Sequence, residues 1–268
     1  RRVLFRSGME QNFGLISIIM AAYNAENTIE KAVMSVIAQT YTQFELIIIN
    51  DCSTDKTLSI IKKFEAFDKR IFLINNPYNR GVSYTRRYGL EKARGEWIAI
   101  LDSDDAWAAD KLEKQIRLQK EKNADLVYTG SAFMDSSGNS IEWYLHVPLE
   151  IGYRQLLKQN LISNSSALVR KELYMQYYAS GDNMHEDFAT WLRILKTGRK
   201  AYGIDEPLLI YRFMRKSKSG NKLSAAKMNW NTYRYIGLDV VSRMYYMIWY
   251  MLNGLKKYIT LNNEVAKV

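Results

Sequence analysis

Trp97-Ile98-Ala99-Ile100-Leu101-Asp102-Ser103-Asp104-Asp105-Ala106-Trp107 is the stretch that decides the fold. An unbroken apolar run reads as a strand buried on both faces. Its stop at Asp102 puts a cluster of carboxylates at the carboxyl end of that strand. Working outward, the same pattern repeats. Leu15–Ala21 (LISIIMA) and Phe44–Asn50 (FELIIIN) are buried strands, Arg70–Ile74 is another, and Asp125–Gly130 is the fifth in the series. Between them Ile29, Val33, Val36 and Ile37, then Leu58, Ile61 and Phe64, recur at helical spacing, and helices also cover 83–93 and 110–122. Ser53 or Thr54 is expected to cap the helix that carries Leu58. Strictly alternating strands and helices with short connections imply a mostly parallel sheet flanked by helices on both faces. Ligands bind such sheets beyond the carboxyl ends of the strands. The loops Tyr23–Glu26, Asp51–Asp55, Asn76–Gly81 and Asp102–Asp105 are therefore the ones that carry function.

After Gly130 the pattern changes. Met134–Asn139 holds a hairpin turn signal, Asp-Ser-Ser-Gly-Asn. Ser163–Arg170 reads as a strand, His185–Thr197 as a helix with Phe188, Trp191, Leu192 and Leu195 on one face, and Pro207–Phe213 as a final strand. From 222 to 258 the chain reads as helical with a break near Gly237.

Composition excludes several classes. The chain has 268 residues, of which 47% are hydrophobic and 25% charged, the balance of a globular protein with a real core. One cysteine, Cys52, excludes an intramolecular disulfide, and with only His146 and His185 beside it no Cys/His zinc site can be assembled. Neither GxGxxG nor GxxxxGK[ST] occurs, which argues against a dehydrogenase or a P-loop NTPase. The net charge is +10, and residues 199–268 hold 13 Lys/Arg against 4 Asp/Glu. A basic end on a near-neutral body suits a polyanionic surface, although a plain solvated face has the same pattern. The most apolar stretch, Met244–Leu252, has about half of the ~20 residues that a membrane-spanning helix needs.

Read residue by residue, the candidate chemistry is this. Hard divalent cations take carboxylate oxygens and fill the remaining positions with water and substrate phosphates. Asp102-Ser103-Asp104-Asp105 suits a metal and diphosphate clamp, or else an acidic turn before the next helix. Asp51 lies on the same rim and serves a ligand or a turn. Arg86 offers a guanidinium fork to a phosphate or a base, or stands as a solvated helix residue. Glu186 and Asp187 open a helix, where the dipole favours acids; a carboxylate there facing the clamp is also a general base.

Five segments, Ser17–Asn24 (SIIMAAYN), Asn50–Asp55 (NDCSTD), Gly81–Gly89 (GVSYTRRYG), Arg94–Trp107 (RGEWIAILDSDDAW) and His185–Leu192 (HEDFATWL), follow one another in the order seen in glycosyltransferase family 2. The chain resembles that family from about Leu15 to Lys222. Tyr211–Lys222 and the NGLKKY of Asn253–Tyr258 are most similar to the bacterial branch that includes teichuronic-acid and capsular polysaccharide transferases. The resemblance implies the GT-A fold, an inverting mechanism, a nucleotide-sugar donor, here a UDP-sugar, and Mg²⁺ or Mn²⁺. It implies a nucleotide site lined by Ala22, Tyr23, Asn24 and Glu26, with Asp51 on the base, Arg86 against the nucleotide, and Asp102, Ser103 and Asp104 at the ribose and diphosphate. Asp104 is then the metal ligand, Asp187 the general base, and Glu186 and Trp191 belong to the acceptor side. The pattern departs from the family at three places. Ala21-Ala22 replaces a frequent proline, Arg87 a frequent Asn, and Met214 a frequent His, so that Arg215 or Lys216 is left to neutralise the diphosphate.

These expectations divide the chain into a leader or remnant at 1–14 with Met9 as a candidate start, a GT-A domain at 15–222 (nucleotide half 15–130, acceptor half 131–222), and a basic aromatic helical tail at 223–268. A sugar-nucleotide pyrophosphorylase is the alternative within the same broad fold, and it expects a Gly-rich loop that Ala21–Asn27 lacks. A non-catalytic basic protein leaves the acids at the strand end unexplained. In the tail, Trp230, Tyr233, Tyr235, Tyr245, Tyr246, Trp249, Tyr250 and Tyr258 are interleaved with Arg234, Arg243, Lys256 and Lys257. That mixture suits a helix lying in a membrane interface, or else one packed back on the catalytic domain or on a second subunit. The expected partners are a UDP-sugar, a glycan or lipid-linked glycan and a membrane surface, with no nucleic acid. The expected place is the cytoplasm, peripheral at the inner face of the membrane.

Overall fold

The computed structural model describes residues 13–181, 183–213 and 222–265. The elements follow in the order β1 (Ile16–Ala22), α1 (Ile29–Ile37), β2 (Phe44–Asn50), α2 (Thr57–Phe67), β3 (Ile71–Asn75), α3 (Val82–Lys92), β4 (Trp97–Ile100), β5 (Ala106–Trp107) and α4 (Lys111–Lys122). The second part adds β6 (Leu126–Met134), β7 (Ser140–Leu145), β8 (Glu150–Ile151), α5 (Tyr153–Leu156), β9 (Leu168–Arg170), α6 (Lys171–Tyr177), α7 (Glu186–Leu195), β10 (Ala201–Arg212), α8 (Lys222–Tyr235) and α9 (Val240–Val265).

One sheet runs in the order β3-β2-β1-β4-β9-β6-β10-β5, with β7 on β6 and β8 on β10. The run β3-β2-β1-β4 is wholly parallel. β2 is buried at every position, as a central parallel strand covered on both faces must be. Ile18 and Ile19 point to opposite sides, as adjacent strand residues do. Ile18 meets Val33, Ile61 and Leu112, and so the side of α1, α2 and α4. Ile19 meets Leu90 and the cluster containing Phe188 and Trp191, and so the side of α3 and α7. Gly89 lets α3 settle onto the sheet, since a Cβ there would stand 2.6 Å from Ile49 and 2.7 Å from Ile19. That close approach brings Arg86, one turn earlier, over the sheet.

The sheet is less uniform than the sequence suggests. β9 enters antiparallel between β4 and β6. Only Leu168–Arg170 of the expected strand Ser163–Arg170 is extended. Asn164–Ser166 instead forms a 3-10 turn, because Ser166 folds back with both its N–H (2.9 Å) and its Oγ (2.7 Å) onto Ser163 O. β10 begins well before Pro207 and shifts register on either side of it, since proline has no N–H to give to the ladder. The hairpin turn lies where expected, with Asp135 N bonded to Asn139 O at 2.9 Å. Gly237, at φ +82°, separates α8 from α9. Residues 1–12, Met214, Arg215 and Lys216, and the side chains of Lys256, Lys257 and Tyr258 lie outside the described residues.

Candidate active site

The carboxyl ends of β1 and β2 form one interlocked rim. Asn24 turns left-handed, at φ +48°. Its N–H donates to Ser53 Oγ (3.1 Å), and its Oδ1 accepts from Thr54 N (2.9 Å). Ala25 N donates to Thr57 Oγ1 (2.7 Å), Glu26 N to Asp55 Oδ2 (3.0 Å), and Lys56 N to Glu26 Oε2 (3.0 Å). Ser53 and Thr54 are thus engaged with Asn24 and do not cap α2; Asp55 Oδ1 takes the Thr57 N–H instead, at 2.9 Å. Ala22 is buried beneath this loop, while Tyr23 is 52% exposed and offers its ring at the rim.

Asp51 is buried at the end of β2 and organises the next loop. Its Oδ1 accepts from Asn76 Nδ2 (2.8 Å) and Arg80 N (3.0 Å), and its Oδ2 from Gly81 N (2.9 Å). A carboxylate accepts about four hydrogen bonds, so Asp51 keeps room for one more donor. Gly81 holds φ +84°, which a side chain resists, and this places its N–H on Asp51 at the entrance to α3.

Arg86 is the joint of the site. Its Nη2 donates to Asp102 Oδ1 and its Nη1 to Glu186 Oε1. The guanidinium is buried, with Nε unpartnered. Burial works against its charge, but Asp102 and Glu186 outweigh it and hold the pKa well above the usual range. Arg86 therefore ties the end of β4 to the start of α7. Beside its expected place against the nucleotide, Arg86 thus has both arms of its fork engaged by carboxylates.

Asp104 and Asp105 lie one turn beyond Asp102. Burial, reinforced by the Asp102 charge, pushes the Asp104 carboxyl up to about 6. Asp105 is buried and is likewise driven well up, first by burial and then by the Asp104 and Asp102 charges. Ser103 sits half-buried between these acids. Arg212, at the end of β10, clamps the loop from behind. Its N–H donates to Asp105 Oδ1 (3.0 Å), its Nε to Asp104 O (3.0 Å), and its Nη1 to Ser136 O (3.1 Å). Asp102 N donates to Ser165 Oγ (3.2 Å), and Trp107 Nε1 to Ser165 O (2.7 Å). Sequence reasoning missed Arg212 and Ser165. The signal for Arg212 was an arginine at the end of the last strand, inside a segment already read as family-like.

At α7, Asp187 is half-buried, and no protein donor holds its carboxylate among the described residues. Glu186 is buried on Arg86. His185 precedes the helix and is fixed to α8 through its N–H to Thr232 Oγ1 (3.0 Å). Trp191 is fully buried and stacked on Tyr174 at 5.5 Å, so it reaches the acceptor side only through packing and gives the cleft no surface.

The donor set fits a hard cation. It is oxygen-only, and the Asp104 pKa is held raised first by burial and then by the Asp102 charge, so a cation beside it would favour its ionised form. Among the described residues no group of three His, Cys, Asp or Glu converges into a cage. Such a cation would rest on Asp104, with Asp102 beside it, and on diphosphate oxygens, as Mg²⁺ habitually does.

Residues 17–177 match the family model described as glycosyl transferase family 2. The chain belongs to this family. Over 244 residues it is 37% identical to a Bacillus subtilis protein named as a candidate teichuronic acid biosynthesis glycosyltransferase, TuaG, covering 91% of this chain and 97% of that one. It is 35% identical to WfgD of Escherichia coli, a UDP-Glc:alpha-D-GlcNAc-diphosphoundecaprenol beta-1,3-glucosyltransferase, covering 91% and 95%. The fold is that of S. aureus TarS residues 1–349 solved with UDP-GlcNAc, at TM-score 0.68 and 18% identity over 87% of this chain and 70% of that one. It is also that of the mannosyltransferase PcManGT of Pyrobaculum calidifontis, solved with GDP-Man and Mn²⁺, at TM-score 0.67 and 16% identity over 90% and 70%. The family 2 transferase thus has the GT-A architecture. The pyrophosphorylase and non-catalytic alternatives are not favoured.

Proposed function

We propose that this glycosyltransferase moves a sugar from a UDP-sugar to a hydroxyl of a glycan or lipid-linked glycan, with inversion, in cell-envelope polysaccharide synthesis. The observation that carries this reading is the Arg86 joint, which ties Asp102 at the end of β4 to Glu186, the neighbour of Asp187 at the start of α7. One side of the site presents the acids that suit a metal and diphosphate, and the other holds a carboxylate that no donor among the described residues occupies. The names of TuaG and WfgD support the envelope setting and the lipid-linked acceptor. TarS with UDP-GlcNAc supports a uridine donor, and PcManGT makes GDP-Man the competing one.

In this reading Tyr23 lies beside the base, Asp51 takes one further hydrogen bond from it, and Ala22, Asn24 and Glu26 shape the pocket wall. Asp102 and Ser103 face the ribose and diphosphate. Asp104 would hold Mg²⁺ or Mn²⁺, which would supply charge neutralisation for a diphosphate. Asp187 takes the proton from the acceptor hydroxyl, whose oxygen attacks the anomeric carbon from the face opposite UDP. A single displacement of this kind inverts the configuration. Glu186, through Arg86, sets where Asp187 stands. Residues 15–130 then act as the donor half, 131–222 as the acceptor half and 223–268 as the tail that works at the inner face of the membrane.

The test is a screen of UDP-sugars and GDP-Man for hydrolysis and transfer to undecaprenyl-diphosphate-linked GlcNAc, with Mn²⁺ and with EDTA. Turnover of one UDP-sugar that EDTA abolishes is the expected result. Turnover of GDP-Man alone overturns the donor, and undiminished turnover in EDTA overturns the metal.

A further inference from the structure

α8 and α9 form a helical hairpin with one side packed and one side bare. Inward, Tyr233 is buried and its OH donates to Leu157 O (2.6 Å), Tyr246 and Met247 pack against the core, and Asn253 Nδ2 donates to Lys158 O (3.2 Å). Outward, Val241, Met244, Tyr245, Ile248, Met251 and Leu252 are each at least 50% exposed. Their spacing of three and four residues puts them on one helix face. The charged side chain within this stretch, Arg243, is turned aside, its guanidinium 4.8 Å from the Trp230 ring. No helix among the described residues is long and apolar enough to cross a membrane.

A contiguous exposed apolar face calls for an occupant. The chemistry of its margins selects one. Trp249 sits at the edge of the face with the Lys158 ammonium 4.8 Å from its ring, and Tyr235, Arg234 and Lys227 are exposed on the neighbouring helix. Amphipathic aromatics at an apolar–polar boundary, with cations around them, match the headgroup zone of an anionic bilayer. The excess of 13 Lys/Arg over 4 Asp/Glu in residues 199–268 has the same sign. α8 also holds His185, the residue that opens the Asp187 helix, so the hairpin that carries the face is fixed to the helix that carries the base.

We infer that the outer face of α9 seats an anionic lipid bilayer, with the helix lying flat in the interface. The purpose of this contact rests on the proposed lipid-linked acceptor: it holds the cleft beside a substrate that cannot leave the membrane. The contact itself is tested without that acceptor.

The experiment floats the full chain with phosphatidylglycerol-rich vesicles and with pure phosphatidylcholine vesicles, at low and high salt. It compares the parent with Met244→Glu/Ile248→Glu/Met251→Glu, and with the milder Met244→Gln/Ile248→Gln in case the acidic variant does not fold. The UDP–Mn²⁺ thermal shift serves as the check of fold and donor site. Each apolar side chain withdrawn from lipid weakens partition by about tenfold or more, so the triple variant loses on the order of 10³-fold. The expected result is a parent that floats with anionic vesicles, less so at high salt, and variants that stay at the bottom with an unchanged thermal shift. A parent that never floats, or variants that float as well as the parent, overturns the inference. So does a parent dimer in light scattering that the variants split, since the face then seats a second copy. If the parent floats but transfers nothing to a lipid-linked acceptor, the acceptor reading fails and the bilayer contact stands.

Discussion

The rim at the ends of β1 and β2 and the rim at the start of α7 treat their carboxylates in opposite ways. Asp51, Asp55 and Glu26 each accept from backbone N–H donors of the loops around them, and Asp51 also from the Asn76 amide. Asp187 is held by no donor among the described residues. The first rim is preorganised: its acids fix loop shape, and Asp51 keeps one acceptor position beyond that. The second is left open, as the role proposed for Asp187 requires, because a base is useful only if its lone pairs can reach an acceptor proton. Arg86 joins the two, with one arm on Asp102 and the other on Glu186.

The contrast is broken most directly at Asp187. Asp187→Asn should lower turnover by ~10²–10⁴-fold while leaving the melting temperature and UDP affinity near those of the parent, because the side chain has no hydrogen-bond partner among the described residues to lose. A variant that melts much earlier would make Asp187 a scaffold residue, and one that turns over normally would remove it from the mechanism.

Arg86 should fail in both respects. Arg86→Met leaves Asp102 and Glu186 charged, largely buried and unpaired, a loss of about 3–5 kcal/mol in pairs of this kind. Arg86→Lys should recover little, because an ammonium has no fork with which to span two carboxylates. Urea unfolding checks this. A Lys variant as stable as the parent would show that charge alone, not the bridge, holds the rims together.

Asp104 should behave in the reverse sense. Its folded pKa of about 6 stands above the ordinary 3.8, so the fold favours the protonated form. The cost of ionising it is absent below the unfolded pKa, grows as pH rises between the two values, and is complete by pH 7. Two units correspond to about 3 kcal/mol. In EDTA at neutral pH, Asp104→Asn should therefore be more stable than the parent by up to that amount, with the gap closing toward pH 4. Mn²⁺ with UDP should stabilise the parent and leave the variant unmoved. An equal response of the two proteins to Mn²⁺–UDP would place the cation elsewhere.

The sequence made the first rim legible because its signals are local. A buried strand that stops at an acid and a helix that starts a few residues later are contiguous in the chain, and β1 to β4 appear at the expected places. What it could not show was non-local. Ser163–Ser166 has strand-like neighbours, yet Ser166 closes a turn on the Ser163 carbonyl. β9 slips between β4 and β6 on three residues, a pairing that no periodicity announces. The bridging role of Arg86 was hidden because its partners, Asp102 and Glu186, are 16 and 100 residues away. Trp191 carried a family role, but its burial depends on Tyr174, which arrives from another helix.

The smallest effect concerns how the first rim is locked. Ser53 Oγ accepts from Asn24 N at 3.1 Å and donates to Asn50 Oδ1 at 2.5 Å, so one hydroxyl links the ends of β1 and β2. Both contacts are partly exposed, and water replaces much of what is lost, so Ser53→Ala should cost only about 1 kcal/mol, or roughly 2 °C in melting temperature. Its effect on UDP should be disproportionate. Asn24 holds a left-handed backbone that its hydrogen bonds to the 53–54 turn help to maintain, and relaxing it moves Tyr23 away from the rim. UDP affinity should fall several-fold, while Asp187→Asn leaves it unchanged. Calorimetric titration of both variants with UDP–Mn²⁺ makes the comparison. If Ser53→Ala binds UDP as tightly as the parent, the interlocked loop is scaffold alone, and preorganisation of the donor pocket lies with Asp51 and Gly81.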